Sequence, residues 1–219
     1  MVKHRAVTDV QKEARRAEIL EVALRRFATT PYDSLSMAET ADAAGVAKGT
    51  LYLYFQSKEE LFLAICSEQL AAWFDEMDAG LRQTDDTSVA GFLKLLGDSL
   101  VSRPELLRLI AILHTKLEAN VSPGTARDFR TWLEERRRAT GLLLEQRAPF
   151  LKPGQGAVLL RQIDALVIGF QHQAEPLGGM REALAAPDMA AHRVDLRESL
   201  LRTINTLLTG LAYESKYGK

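Results

Sequence analysis

A cluster of residues suited to nucleic-acid contacts lies within two helical turns, between Lys48 and Tyr54. An ammonium group can bind a phosphate or a guanine, hydroxyl groups can bond to phosphates or base edges, and aromatic rings can contact thymine methyl groups. The segment supplies one lysine and three hydroxyl-bearing side chains, Thr50, Tyr52 and Tyr54. We predict that these side chains form the outer face of a short DNA-contacting helix.

Catalysis and metal binding have much weaker support. The one cysteine, Cys66, falls on a predicted apolar helix face, where a thiol packs as a small unreactive hydrophobe. An enzyme hypothesis would take His114 or His172 as its base. The four histidines show no spacing of three or four residues, so a metal site is not predicted. We therefore expect no enzymatic activity, no metal and no cofactor.

Two short predicted helices around a glycine must position the polar cluster. Ser36, with Glu39 three residues later, forms a capping-box pattern that starts the first of them. Gly45 ends that helix, because a residue without Cβ enters a left-handed turn freely. The second helix covers about residues 48–55, and a longer helix over about residues 11–29 precedes the pair. This order is typical of a helix-turn-helix.

Helical periodicity continues through the rest of the chain, and no alternating strand pattern is present. Ser57 caps a long fourth helix, whose apolar stripe consists of Phe62, Cys66, Leu70, Trp73 and Met77. Further helices are predicted over residues 89–102, 104–119, 125–148, 155–175 and 188–213, with an irregular connection after Pro176. The predicted fold is all-α, with an N-terminal three-helix helix-turn-helix DNA-binding domain and a larger C-terminal helical bundle.

The charge balance excludes a protein that coats nucleic acid or an anionic membrane with its whole surface. The 219 residues carry 28 Lys and Arg against 29 Asp and Glu, a net charge of -1. Residues 1–60 contain nine of each sign, but Met1–Arg16 is basic and predicts a flexible N-terminal arm, or equally a merely solvated terminus. No segment approaches the roughly 20 apolar residues that cross a bilayer, and a cytoplasmic location is expected.

The segment Ala44–Phe55, followed by Ser57–Leu61, resembles the DNA-binding signature of TetR-family transcriptional regulators. Residues from Arg16 to Ile65 agree with the family pattern in order and spacing. The resemblance implies that the recognition helix begins in the major groove and that Tyr54 and Lys58 reach the flanking backbone. The implied DNA-contacting residues are Ser36, Ala47, Lys48, Gly49, Thr50, Tyr52, Leu53, Tyr54 and Lys58.

The chain departs from the family pattern at four positions. Pro31 and Leu35 stand where the family often has Gly and Thr. Ala47 replaces a common Ser and removes an N-cap that stabilises a helix by about 1 kcal/mol. Leu53 occupies a position that is often polar or aromatic. The last two departures bear on the operator sequence rather than on the DNA-binding role.

The resemblance also implies a homodimer joined by the last two long helices, so that two subunits read the two halves of a palindromic double-stranded operator. The apolar stripes of these helices supply the predicted interface, consisting of Leu159, Ile163, Leu166, Val167, Phe170, Leu200, Ile204, Leu208 and Leu211. The alternative is that one stripe faces only its own core.

The resemblance further implies that a small-molecule effector, which the sequence does not identify, binds among the middle helices. Candidate lining residues are Trp73, Phe92, His114, Phe129, Trp132, Phe170 and Gln173. Aromatic residues at helical spacing belong more often to the core. The charged run Glu134–Arg138 is interpreted as a solvated helix face with an ion pair between its end residues.

Together the sequence patterns and the family resemblance lead us to expect a ligand-responsive DNA-binding regulator, a repressor released from its operator by the effector. Residues 1–60 would form the DNA-binding domain with its basic N-terminal arm, and residues 61–219 would bind the ligand and dimerise. The alternative is a DNA-binding regulator without a small-molecule ligand, controlled by a protein partner or constitutive. No membrane partner is expected.

Overall fold

The computed structural model describes the backbone of residues 2–218 and the side chains of residues 10–218. Within this range the chain forms ten α-helices and no strand, which confirms the all-α prediction. The helices are α1 (Val2–Thr29), α2 (Met37–Ala43), α3 (Lys48–Tyr54), α4 (Lys58–Gln83), α5 (Val89–Val101), α6 (Pro104–Ile112), α7 (Pro123–Arg147), α8 (Gln155–Ala174), α9 (Gly178–Ala185) and α10 (Leu196–Tyr217).

The N-terminal unit, called the headpiece here, consists of α1, α2, α3 and the first turn of α4. Hydroxyl caps fix two of its helix starts, since Ser36 Oγ accepts the Glu39 N–H at 3.3 Å and Ser57 Oγ accepts the Glu60 N–H at 3.1 Å. Each cap of this kind is worth about 1 kcal/mol. The headpiece core consists of Ile19, Leu20, Ala23, Phe27, Tyr32, Leu35, Met37, Ala41, Leu51 and Phe55, all buried.

The C-terminal bundle, formed by α4 to α10, is built around α4 and α8, each of which buries one apolar face. The predicted stripe of α4 is buried along its whole length, at Phe62, Cys66, Leu70, Trp73 and Met77. Helix α8 packs against α6, α7 and α10, and α10 also packs against α5. A Cβ on Gly156 would collide with the backbone carbonyl of Gly141, so α7 and α8 cross at a separation that only glycine allows.

Three segments differ from the predicted helix limits. Helix α1 begins at Val2, earlier than the predicted start near residue 11, so the basic segment Met1–Arg16 is helical over its described part. After α6 the helix changes to a π-helical turn over Leu113–Leu117 and a 3₁₀ turn over Glu118–Asn120. Such changes of hydrogen-bonding pattern occur often at functional positions of helices.

The third difference is the segment between α8 and α10. It contains the short helix α9 and a 3₁₀ turn over Pro187–His192, where an irregular connection and then a helix from residue 188 were predicted. The last helix begins only at Leu196, because Asp195 Oδ1 accepts the Glu198 N–H at 2.8 Å and caps it.

None of the helices within residues 2–218 is long and apolar enough to cross a membrane.

Candidate functional site

The turn between α2 and α3 has the geometry that the helix-turn-helix pattern predicts. Gly45 adopts a left-handed conformation with φ of 64°, which carries the chain out of α2. The Val46 N–H then donates to the Ala41 carbonyl at 3.0 Å and closes the turn. Ala41, Leu51 and Phe55 are buried in the core, so the opposite side of α3 faces solvent.

The solvent-facing side of α3 carries most of the predicted DNA-contacting residues. Ala47, Lys48 and Gly49 are exposed at the start of the helix, and Thr50 is half-buried beside them. The last exposed pair, Tyr52 and Leu53, has exposed fractions of 42% and 82%. The structure thus brings a cation (Lys48), a phenol (Tyr52) and an aliphatic side chain (Leu53) together on the exposed side of α3. We call this surface the α3 face.

The electrostatic properties of the α3 face come from a few individual side chains. The Lys48 ammonium nitrogen lies 6.0 Å from the centroid of the Tyr52 ring, within the range of a weak cation–π contact. Ala47, at the N-cap position, makes no side-chain hydrogen bond to the first turn of α3, as its departure from serine predicted. Ser36 is exposed at the start of α2, and its hydroxyl proton stays free to donate while its oxygen caps the helix.

Two of the predicted DNA-contacting residues contact other parts of the chain. The Lys58 ammonium donates to the carbonyls of Tyr32 and Leu35 at 3.1 Å each, and its contact with a flanking phosphate stays a prediction. The same nitrogen lies 4.3 Å from the Tyr32 ring centroid, so Lys58 holds the 3₁₀ turn against α4. Tyr54 is half-buried and lines a groove between α3, α4 and α7, away from the α3 face.

A buried charged network lies inside the C-terminal bundle, and the sequence interpretation of Glu134–Arg138 missed it. Arg137 is only 4% exposed and donates to Glu134 Oε1 and to Asp164 Oδ2, both at 2.7 Å. Glu134 also accepts from Arg161 at 2.8 Å rather than pairing with Arg138. The signal was available, because Arg137 falls four residues after buried Leu133 and shares its helix face.

Burial and ion pairing act against each other in this network. Burial raises the pKa of the Asp164 carboxyl above its ordinary value, and the Arg137 guanidinium opposes that shift. At Glu134 burial also acts to raise the pKa, but hydrogen bonds from Arg137 and Arg161 outweigh it and the pKa is lowered. One arginine therefore compensates two carboxylates from different helices.

The charged pair Arg137 and Asp164 borders a small interior cavity of about 20 Å³. Its other walls are apolar and come from α4, α5, α6, α7 and α8, with Trp73, Ile110 and Leu133 among them. A site needs about 10–15 Å³ of this kind to hold one water molecule. In this conformation the interior cavity accommodates about one water, and a larger ligand requires the surrounding helices to move.

The seven predicted ligand residues do not meet in one place. Trp73 lines the interior cavity and donates from Nε1 to Ser99 Oγ at 3.2 Å, whereas Phe92 is buried against Phe150. Phe129 and Trp132 line the outer groove that also contains Tyr54. The remaining three are found at the surface or partly exposed, with His114 and Gln173 exposed and Phe170 half-buried.

Of the three groups in the enzyme hypothesis, Cys66 is buried in the core, whereas His114 and His172 are exposed. Burial raises the pKa of the Cys66 thiol far above its ordinary value, with the nearby carboxylates Asp164 and Glu118 adding to the shift. His114 Nδ1 lies 2.7 Å from Glu118 Oε2, and Arg130 binds the same carboxylate. Among the described residues no group of three or more His, Cys, Asp or Glu side chains could hold a metal ion.

The structure corrects most of the predicted dimer interface. Six of the nine residues are buried within their own chain, namely Leu159, Ile163, Val167, Leu200, Ile204 and Leu208. Leu166, Phe170 and Leu211 are only partly buried against the same core. The apolar stripes were identified correctly, but α8 and α10 use them against each other and against α5, α6 and α7.

Comparisons with known proteins agree with this architecture. The family profile described as "Bacterial regulatory proteins, tetR family" matches residues 19–65. A second profile, "Tetracyclin repressor-like, C-terminal domain", matches residues 67–214. Together they cover α2 to α9, apart from Cys66 in α4, and most of α10.

Curated relatives share the N-terminal part most clearly. The fatty acid metabolism regulator protein of Bacillus subtilis is 29% identical over 73 residues, 33% of this chain and 38% of that protein. The chain thus spans about two fifths of that regulator. The HTH-type transcriptional repressor AcnR of Corynebacterium diphtheriae is 29% identical over 141 residues, 64% of this chain and 67% of that protein.

A solved structure extends the likeness to nearly the whole fold. AibR, determined in complex with isovaleryl coenzyme A and operator DNA, is 20% identical and superposes with a TM-score of 0.52 over 88% of this chain and 97% of that one. The resemblance drawn from Ala44–Phe55 is confirmed by the two family profiles. With both its N-terminal and C-terminal segments matched, the chain belongs to the TetR family of bacterial transcriptional regulators.

Proposed function

We propose that the chain is a ligand-responsive repressor that binds a palindromic operator as a homodimer and is released by a small-molecule effector. Residues 1–60 act as the DNA-binding domain and residues 61–219 bind the effector and dimerise. The protein works in the cytoplasm and is not an enzyme. The family membership and the exposed residues of α3 support the first part of this proposal, and the helices around the interior cavity support the second.

The observation that carries the DNA-binding role is the joint exposure of Lys48, Tyr52 and Leu53 on α3, within the segment that the tetR family profile matches. Leu53 is 82% exposed, so its side chain is available for an apolar contact with a partner. The methyl group of thymine is the apolar feature of the major groove. With Lys48 and Tyr52 beside it, Leu53 gives α3 one apolar base contact between polar ones.

The operator affinity has to come from few contacts. Residues 1–60 carry nine basic and nine acidic side chains, and Arg26 is already paired with Glu39 at 3.0 Å. A headpiece without net positive charge gains little from counterion release. Binding therefore depends on pairing two headpieces, and a dimer supplies that pairing.

The surface available for dimerisation is the outer side of α8 and α10. On α8 the exposed residues Val158, Ala165 and Gly169 follow a helical spacing and include an aliphatic side chain with 48% exposure. On α10 the exposed rings of Tyr213 and Tyr217 lie 4.8 Å apart, centroid to centroid. We assign the subunit contact to these residues in place of the buried stripes.

The effector response rests on a direct link between α6 and the headpiece. The Arg108 guanidinium donates to the carbonyls of Phe27, Ala28 and Thr30 at the end of α1, at 2.7, 3.2 and 3.3 Å. It also lies over the Phe27 ring at 4.3 Å. An effector that enters the interior cavity displaces α6, and Arg108 carries that displacement to α1. The effector only needs to bind the displaced state more tightly.

AibR supplies a chemical class to try as effector, because it was solved with an acyl coenzyme A. The interior cavity combines apolar walls with Arg137, a cation that can meet the polar end of an acyl group. Its present volume of about 20 Å³ instead favours the second candidate function, a DNA-binding regulator without a small-molecule ligand. The two candidates differ in whether any metabolite releases the DNA.

The DNA-binding part is tested with the DNA upstream of the gene that encodes the chain. Leu53→Ala and Tyr52→Ala should each weaken binding about ten- to a hundredfold, since a good base contact is worth about 1–3 kcal/mol. Leu142→Ala is the matched control, because Leu142 is also exposed but lies on α7. Equal affinities for Leu53→Ala and the control would contradict the assignment of the α3 face.

The effector part is tested on the same protein–DNA complex with short-chain acyl coenzyme A compounds, including isovaleryl coenzyme A. Release of the DNA, together with a higher melting temperature of the free protein, is the expected result. If the compounds change neither quantity, acyl coenzyme A is not the effector. If extracts of small metabolites also leave the complex intact, the regulator without a ligand is the better description.

A further inference from the structure

A second cavity, of about 160 Å³, lies between the headpiece and the C-terminal bundle, and we call it the junction cavity. Phe27 and the turn Pro31–Asp33 form its headpiece wall. Ile112 from α6 and Gln171 from α8 belong to the opposite wall. The volume is roughly ten times the 10–15 Å³ that one water needs, so the cavity has room for a molecule of several heavy atoms.

Gln171 gives this cavity a hydrogen-bond acceptor that needs a donor. Its side chain lines the cavity and is only 4% exposed, and its Oε1 atom is buried without a hydrogen-bond partner. Buried polar groups are nearly always paired in folded proteins, and an unpaired acceptor costs about 1–3 kcal/mol. An occupant that donates an O–H or N–H bond to this amide removes that cost.

The charged residues around the cavity leave one positive charge without a partner. Lys116 lies 3.0 Å from Asp33, and Arg108 lies 3.8 Å from Glu175. Arg181 donates from Nε to the Pro176 carbonyl at 3.2 Å, but within residues 10–218 it forms no ion pair with a carboxylate. A planar guanidinium with free donors is well suited to a carboxylate.

We propose that the junction cavity binds a small amphiphilic carboxylate that also carries a hydroxyl or N–H donor. Its carboxylate meets Arg181, its donor bonds to Gln171 Oε1, and its carbon chain packs against Phe27, Pro31 and Ile112. The site is separate from the interior cavity of the bundle, because Gln171 and Arg181 line one cavity and Arg137 and Asp164 line the other. It does not depend on the proposed effector response.

An occupant of the junction cavity touches both the headpiece and the bundle. The occupant therefore favours the separation of headpiece and bundle at which both walls of the cavity contact it. Binding shifts the population toward that arrangement. The arrangement is the one in which Arg108 bonds to the end of α1 and Lys116 bonds to Asp33. The ligand thus acts on the headpiece without entering the bundle.

The proposal is tested by calorimetric titration of the full chain with 3-hydroxybutyrate, which carries both required groups, and with butyrate, which lacks the hydroxyl. Saturable binding of 3-hydroxybutyrate, about tenfold tighter than that of butyrate, is expected. Gln171→Met should abolish this preference and Arg181→Gln should weaken both compounds about tenfold. Arg138→Gln removes an exposed arginine from α7 and should change nothing.

Melting temperatures without ligand separate binding from a structural role. Gln171→Met should melt at the same or a higher temperature, because it removes an unpaired polar group of similar volume. A lower melting temperature with no preference of the native chain for the hydroxy acid would show that the amide holds only a buried water, and would overturn the proposal. The absence of saturable binding of either compound up to about 10 mM would overturn it as well.

Discussion

The α3 face and the interior of the C-terminal bundle handle their chemistry in opposite ways. On α3 an apolar side chain, Leu53, is left in water, whereas in the bundle a charged side chain, Arg137, is placed in the core. The two arrangements differ in free energy, since a buried charge is costly, whereas a leucine left in water only lacks the stabilisation that burial would give it. At the α3 face the compensation would come from another molecule, and in the bundle it comes from Glu134 and Asp164.

The contrast separates positions where substitutions affect folding from positions where they affect only binding. Residues of the α3 face make few contacts within the chain, so their replacement should leave the stability nearly unchanged. Residues around Arg137 join α7 to α8, and their replacement should be felt by the whole bundle.

The largest effect is expected for Ile204→Glu in α10. Ile204 is fully buried within its own chain, so a glutamate there places an uncompensated charge in the core and should prevent stable folding. Val158→Glu, on the exposed side of α8, should keep the fold and yield monomers. Circular dichroism and sedimentation distinguish these outcomes, and a folded Ile204→Glu monomer would restore the stripes as the interface.

A smaller but still large effect is expected for Arg137→Met. Removing one partner of a buried ion pair typically costs about 3–5 kcal/mol, and Arg138→Met, at the exposed neighbouring position, should cost less than about 0.5 kcal/mol. Urea denaturation measures both. Equal midpoints for the two variants would mean that Arg137 does not hold α7 and α8 together.

The Arg137→Met variant should also show a distinct pH dependence. The pKa of Asp164 is already raised by burial, and without Arg137 it should rise further. A carboxyl whose pKa is higher in the folded state binds a proton more tightly there, so the variant loses stability as the pH rises from about 4 through that folded-state pKa. Its destabilisation should therefore be smaller at acidic pH than at neutral pH, and Asp164→Asn in the same background should remove the difference.

The smallest effect concerns Cys66. Because burial raises its thiol pKa, the folded protein should react with iodoacetamide at least about a hundredfold more slowly than the urea-unfolded chain at pH 8.5. Mass spectrometry measures the two labelling rates. Similar rates would show that the helices around Cys66 open readily and expose its thiol. The interior of the bundle would then be accessible to solvent, as the α3 face is.

Local patterns predicted the headpiece well. Ser36, Gly45 and Ser57 act on their immediate neighbours, so their types and spacing were enough to predict where α2 and α4 begin and how α2 ends. The family resemblance assigned Lys58 to the flanking DNA backbone, and its partners within the chain, the carbonyls of Tyr32 and Leu35, are more than twenty residues away in the sequence. Only the folded structure shows that these two carbonyls lie within hydrogen-bond distance of the Lys58 ammonium.

The C-terminal bundle was harder to predict, because its features depend on contacts between segments that are distant in the sequence. The apolar stripe at Leu200, Ile204 and Leu208 was recognised, but periodicity does not reveal whether such a face meets its own chain or a second one. Arg137 and Asp164 are 27 residues apart and come from different helices, so neither predicted the other. The predicted ligand residues were chosen by type alone, and they lie in several separate places.

The crossing of α7 and α8 at Gly141 and Gly156 sets a narrow tolerance for everything built around it. Arg137 lies one turn from Gly141 along α7, and Asp164 lies about two turns from Gly156 along α8. A methyl group at Gly156 would force the two backbones apart, and the guanidinium would then have to span a wider gap to reach its carboxylate. Because Gly141 and Gly156 lack a Cβ, the two helices come close enough for Arg137 to reach Asp164 at 2.7 Å.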